Sequence, residues 1–252
     1  MKTVSENGSF GGVQGVHSHT SDVCGCEMTF AVYLPPQACT GKVPVLWYLS
    51  GLTCTDENAI AKVEAQGWAA REGIALIFPD TGPRGEGIAN DPAFDLGQGA
   101  GCYVNATGAP RGGPNFRMWD YGVHELPDLF DRFPLDRARQ GITGHSMGGH
   151  GALTIAMKHP ETYRSLSAIS PIANPTASDW GRKQFTAYLG ADEAKWSPHD
   201  ATLLMADRGY PGPFMIYQGT KDQFLALLIP RRVAFSSGGA WPAIGLSHDR
   251  RL

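Results

Sequence analysis

The sequence predicts an α/β fold: a mainly parallel central sheet with helices on both faces, formed by residues 1–252 as a single domain. Three observations lead there. Short apolar runs alternate with helical patterns along the chain, the rhythm of the crossovers that parallel strands require. The run Val45-Leu46-Trp47-Tyr48-Leu49 is continuously apolar, as expected of a strand covered on both faces. A chain of 252 residues, 42% of them apolar, is long enough to bury a substantial core.

The apolar runs place strands at 29–34 (TFAVYL), 44–50 (PVLWYLS), 73–79 (GIALIFP), 140–144 (QGITG), 166–170 (LSAIS) and 213–218 (PFMIYQ). Helices are expected between them at 57–71, 121–132 and 147–159. Residues 81–118 are rich in Gly, Pro and Asn with little periodicity. A loop of that length is usually functional or disordered. The aromatic residues Phe94, Tyr103 and Phe116, with Trp119 close by, favour an ordered loop that forms part of a site.

Composition excludes several classes. A net charge of −3 gives no reason to expect nucleic acid or an anionic membrane as partner. The N-terminus MKTVSENGSFGG has no apolar secretory segment, and no stretch approaches a membrane span. The five cysteines suggest no disulfide framework, which fits reduced thiols and a cytoplasmic location. Cys24-Gly25-Cys26 has no second Cys/His pair at a zinc-ligand spacing, so no metal is expected.

The sharpest motif is Gly144-His145-Ser146-Met147-Gly148. It matches G-x-S-x-G with a strand before it and a helix after it, the context of a nucleophile elbow in the α/β-hydrolase fold. Ser146 is therefore the expected nucleophile. A serine needs a base, and the base an orienting acid. In this fold the chain order is Ser, acid, His. Asp222 follows the apolar strand and the Gly219-Thr220 turn, so it is the expected acid. Asp192 and Asp200 lie in a polar stretch and suit a solvated surface role. Of eight histidines only His248 follows Asp222, so it is the candidate base. An oxyanion hole needs two backbone N–H donors. Met147 should supply one. Leu52, on the bend after LWYLS-G, should supply the other, with Thr55 or Asp56 capping the next helix.

These residues together resemble S-formylglutathione hydrolase, the esterase D family. The matches are FAVYLPP, LSGLTCTDENA, FPDTGPRG, GAGCYVNAT, FRMWDY, GHSMGGHGAL, SPIANP, WGRKQFTAYLG and QGTKDQFL, spread over residues 1–226. The resemblance implies hydrolysis of S-formylglutathione to glutathione and formate, the thioester step of formaldehyde detoxification. It also implies activity on short-chain esters, no cofactor, and a homodimer. It gives Ser146, Asp222, Leu52 and Met147 the roles above, and places Cys54 beside the site as a cysteine whose modification blocks activity. Cys54 also reads as a small buried hydrophobe, and neither reading makes it a nucleophile.

After Ala226 the sequence departs from the family. LLIPRRVAFSSGGAWPAIGLSHDRRL lacks the G-Y-D-H that carries the family's catalytic histidine. An abrupt departure is the mark of an altered or shortened C-terminal part, as a frameshift produces. The alternative expectation is a catalytically impaired hydrolase-fold protein without a working histidine.

Overall fold

The computed structural model describes residues 1–107, 113–230 and 233. Its strands are β1 (Lys2–Ser9), β2 (Gly12–Ser21), β3 (Cys26–Leu34), β4 (Val43–Leu49), β5 (Ala75–Pro79), β6 (Leu135–His145), β7 (Tyr163–Ile169) and β8 (Phe214–Tyr217). They form one sheet in the order β1-β2-β3-β5-β4-β6-β7-β8. The run β1-β2-β3-β5 pairs antiparallel. From β5 through β4, β6 and β7 to β8 every pairing is parallel. Each strand expected from the sequence is present. β1 and β2 are additions. β1 is exposed along nearly its whole length, so it shows no buried periodicity.

The helices are α1 (Asp56–Val63), α2 (Gln66–Glu72), α3 (Met118–Asp120), α4 (Met147–Lys158), α5 (Asp179–Leu189), α6 (Ala201–Arg208) and α7 (Leu225–Leu228). They cover both faces of the sheet. In β3, alternate residues point to opposite sides. Ala31 and Tyr33 join Leu76, Phe78 and the alanines Ala59 and Ala69 of α1 and α2. Phe30 and Val32 join Trp47, Leu49, Ile142, Leu166 and the α4 residues Ala152, Leu153 and Ile155. Every α4 residue from Met147 to Met157 is buried, as an all-round apolar helix requires.

Three expectations change in detail. The helix expected over 57–71 is broken at Glu64, which takes a left-handed conformation with φ 48°. The helix expected over 121–132 is a π turn followed by a 3₁₀ turn; Pro127 has no N–H to continue an α-helix. Asp200 is not a solvated surface group. It is fully buried and caps α6, accepting from the N–H groups of Thr202 and Leu203 at 2.9 and 3.1 Å. Its other oxygen accepts from Asn174 Nδ2, Thr176 N and Thr176 Oγ1 at 2.8, 3.0 and 2.8 Å. Asp192 does lie at the surface, beside Lys195.

Candidate active site

β6 ends at His145 and α4 begins at Met147, so Ser146 alone makes the turn between them. Its backbone has φ 56° and ψ −116°. A non-glycine residue held there costs on the order of 1–3 kcal/mol and persists only when its neighbours over-determine it. They do. The Ser146 N–H donates to the Ile169 carbonyl at 2.8 Å, and its own carbonyl accepts from Ile172 and His150 at 3.2 and 3.0 Å. A Cβ on Gly148 would overlap the carbonyl oxygen of Leu49, so the elbow closes on β4 only with glycine there.

Ser146 opens into a cleft of about 360 Å³ that it shares with His145, Asp222, Leu52 and Cys54. Asp222 follows β8 and is held at both oxygens. Gln218 Nε2 donates to Oδ2 at 3.0 Å, and the Phe224 N–H to Oδ1 at 2.9 Å.

The turn after β4 carries Leu52. Among the described residues the Leu52 N–H has no acceptor, whereas Thr53 N–H donates to Gly99 O at 2.8 Å and Cys54 N–H to Gly51 O at 3.2 Å. An oxyanion donor must stay unpaired until charge develops. Met147, the first residue of α4, likewise has no carbonyl one turn back within the helix. Thr55 caps α1 through Asn58, in a reciprocal pair of hydrogen bonds at 3.1 and 3.2 Å. Cys54 is half-buried. His248 lies outside the described residues.

No sequence pattern singles out Trp180 and Phe224, which join Phe94 in one wall of the cleft. Phe94, Trp180 and Phe224 come from the 81–118 loop, α5 and the turn before α7, yet their rings pack together: the Trp180 ring meets Phe94 edge-on at 6.0 Å and lies tilted against Phe224 at 5.6 Å. Trp180 Nε1 donates to Asp95 at 2.7 Å, and Lys183 pairs with the same carboxylate at 2.7 Å. The available signal was the motif WGRKQF. The long loop contributes Phe94 to the cleft wall, as expected of a loop that forms part of a site.

Among the described residues no cluster of His, Cys, Asp or Glu could hold a metal ion. Burial pushes the Cys24 thiol up to about 11, so the Cys24-Gly25-Cys26 pair does not present a ready thiolate. Among the described residues no helix is long and apolar enough to cross a membrane.

The esterase family model matches residues 21–236. The S-formylglutathione hydrolase of Paracoccus denitrificans is 68% identical over 234 residues, which are 92% of this chain and 84% of that protein. The chain belongs to the S-formylglutathione hydrolase family. A second member, from Mus musculus, is 50% identical over 90% of this chain and 81% of its own. The solved structure of an S-formylglutathione hydrolase from Agrobacterium tumefaciens superimposes with a TM-score of 0.92 at 44% identity, over 100% of this chain and 92% of that one. The family's α/β-hydrolase architecture is thus the one described above, and the chain is a hydrolase of the esterase class.

Proposed function

We propose that this chain cleaves S-formylglutathione to glutathione and formate, in formaldehyde detoxification, and also hydrolyses short-chain carboxylic esters. What supports the reading most is one cleft where Ser146 on a strained elbow, Asp222 and an unpaired Leu52 N–H meet, in a chain 68% identical to a family member. Residues 1–252 are read as one hydrolase domain, a cytoplasmic homodimer acting on a small molecule, with no nucleic-acid or membrane partner.

In the proposed reaction Ser146 Oγ attacks the formyl carbon while an imidazole takes its proton. His248 is assigned that role because it alone follows Asp222 in the chain, and Asp222 orients it. The N–H groups of Leu52 and Met147 receive the oxyanion. The C–S bond then breaks, and the imidazolium returns its proton to the glutathione sulfur. Water attacks the formyl-serine carbon and gives a proton to the same imidazole; the C–O bond to Ser146 then breaks, the imidazolium returns that proton to Ser146 Oγ, and formic acid leaves and ionises to formate. No metal or cofactor takes part. A thiolate leaves at lower pKa than an alkoxide, so this substrate asks less of the acid than an ester does. Cys54 lines the cleft without a covalent role, so a bulky thiol reagent should block turnover, and Cys54→Ser should keep activity while losing that sensitivity.

The test is formate release from S-formylglutathione by the full chain. Turnover is expected, with Ser146→Ala and His248→Ala losing comparable activity because triad members act as a unit. A folded parent without turnover would mark the impaired hydrolase. Strong turnover with a silent His248→Ala would overturn the base assignment alone.

A further inference from the structure

The turn that carries Leu52 is held from behind by a side chain that does not line the cleft. Arg84 lies just after β5. Its Nε donates to both oxygens of Asp80, at 3.0 and 2.9 Å. Asp80 is buried and also accepts the Thr81 N–H at 2.6 Å. With the guanidinium so fixed, Nη2 reaches the carbonyl oxygens of Thr53 and Cys54, at 3.1 Å each. Thr81 Oγ1 converges on the same turn, 2.6 Å from the Cys54 carbonyl and 2.8 Å from that of Gly99. A Cβ on Gly99, at φ 72°, would overlap the Arg84 guanidinium. The glycine leaves the space the arginine fills.

These contacts act on Leu52 through rigid peptide planes. Thr53 has φ 67° without being glycine, so its neighbours must hold it. Arg84 pins the Thr53 carbonyl, whose peptide plane includes the Cys54 N–H. That N–H donates to the Gly51 carbonyl at 3.2 Å, whose plane includes the Leu52 N–H. The arginine thereby sets the direction of an amide it never touches.

We propose that Arg84 is the positioning residue of the oxyanion hole: by clamping the Thr53 and Cys54 carbonyls it aims the Leu52 N–H at the charge that develops on the substrate. This rests on the hydrolase reading above. The test uses the full chain with Arg84→Gln and Arg84→Lys, measuring kcat and KM for p-nitrophenyl acetate and amide exchange across residues 51–54. Losing a well-aimed oxyanion donor costs about 10²–10³ in kcat, so a misaimed one should cost roughly tenfold or more, with KM within about twofold of the parent. Exchange at 51–54 should quicken while α4 is unchanged, and Arg84→Lys should recover part of kcat. A folded Arg84→Gln with parental kcat overturns the proposal, as does unchanged exchange at 51–54 whatever the activity. Should Arg84→Gln not fold, Thr81→Val removes one clamp on the Cys54 carbonyl and leaves the Asp80 pair in place. It should lower kcat at constant KM, and parental kcat there also overturns the proposal. A parent without Ser146-dependent turnover would sink the hydrolase reading, a separate result that the exchange measurement does not depend on.

Discussion

Gln218 holds Asp222: its Nε2 lies 3.0 Å from Oδ2. Gln218 is buried, and its Oε1 has no partner among the described residues. The amide is therefore oriented by its two donors, one to Asp222 and one to the Gly219 carbonyl at 3.2 Å. A hydrogen bond to a charged group contributes about 1.5–3 kcal/mol. Gln218→Leu should lower kcat on p-nitrophenyl acetate by about 10- to 100-fold, if that bond serves the transition state. Asp222→Asn should cost more, about 10⁴-fold, through the wrong tautomer of its histidine. Parental kcat in Gln218→Leu would show that Asp222 needs no such support.

Strain at Ser146 gives a prediction independent of activity. Its φ of 56° and ψ of −116° are open to glycine and costly for alanine. Ser146→Ala and Ser146→Gly should both lose turnover and fluorophosphonate labelling. Their stabilities should diverge. Relief of about 1–3 kcal/mol of strain, less about 0.5–1 for glycine's freedom in the unfolded chain, leaves Ser146→Gly ahead by about 1 kcal/mol. For a chain of this size that is about 2–4 °C in Tm. Equal melting temperatures for the two variants would remove strain from the account.

The elbow's tolerance should be sharply local. Gly148→Ala would push a methyl group into the Leu49 and Ser50 carbonyls, backbone atoms at the end of β4. It should destabilise by at least about 3 kcal/mol, among the large single-residue effects. Gly122→Ala meets nothing within 4 Å and should stay within about 0.5 kcal/mol of the parent. Denaturant midpoints decide this, and a well-folded Gly148→Ala would refute the described closeness of α4 to β4.

Local pattern made the elbow legible, because strand, serine and helix are consecutive. The same holds for Leu52 and Asp222, each just past an apolar strand. What stayed hidden depends on distant pairing. Trp180 and Phe224 meet across 44 positions, and Arg84 reaches Thr53 across 31. No periodicity encodes such contacts, although both sites lie in motifs, FPDTGPRG and WGRKQF, that carried the family resemblance. β2 was hidden for another reason. It buries Gln14, His17 and Ser18, and Gln14 spends its amide on the Val32 carbonyl at 3.1 Å. A strand with polar residues inside shows no apolar alternation.

Asp200 illustrates the same limit. Its carboxylate satisfies the N-terminus of α6 and the Asn174–Thr176 turn together. Asp200→Ala removes the cap, worth about 0.5–2 kcal/mol, and leaves buried donors unpaired at about 1–3 kcal/mol more. A loss of about 3 kcal/mol is expected by urea denaturation, against under about 0.5 for the exposed Asp192→Ala. Similar values for the two would contradict the buried cap.

The last prediction concerns acid. Burial, helped by Lys158 and His150 nearby, pushes the His199 imidazole down to about 4 from its ordinary 6.5. The unfolded chain therefore takes up a proton below about pH 6.5 that the folded chain refuses. The sign follows directly: the stability from neutral burial is fully present above the unfolded pKa. It drains away as pH falls through the window from about 6.5 to about 4. At about pH 5 the loss is about 2 kcal/mol, or about 4–8 °C in Tm for a chain of this size. His199→Gln removes the titrating group and keeps the backbone carbonyl that meets His150 Nε2 at 2.6 Å. Its Tm should fall by correspondingly less than the parent's between about pH 7 and about pH 5. Parallel pH profiles for the two proteins would show that His199 is not the group responsible.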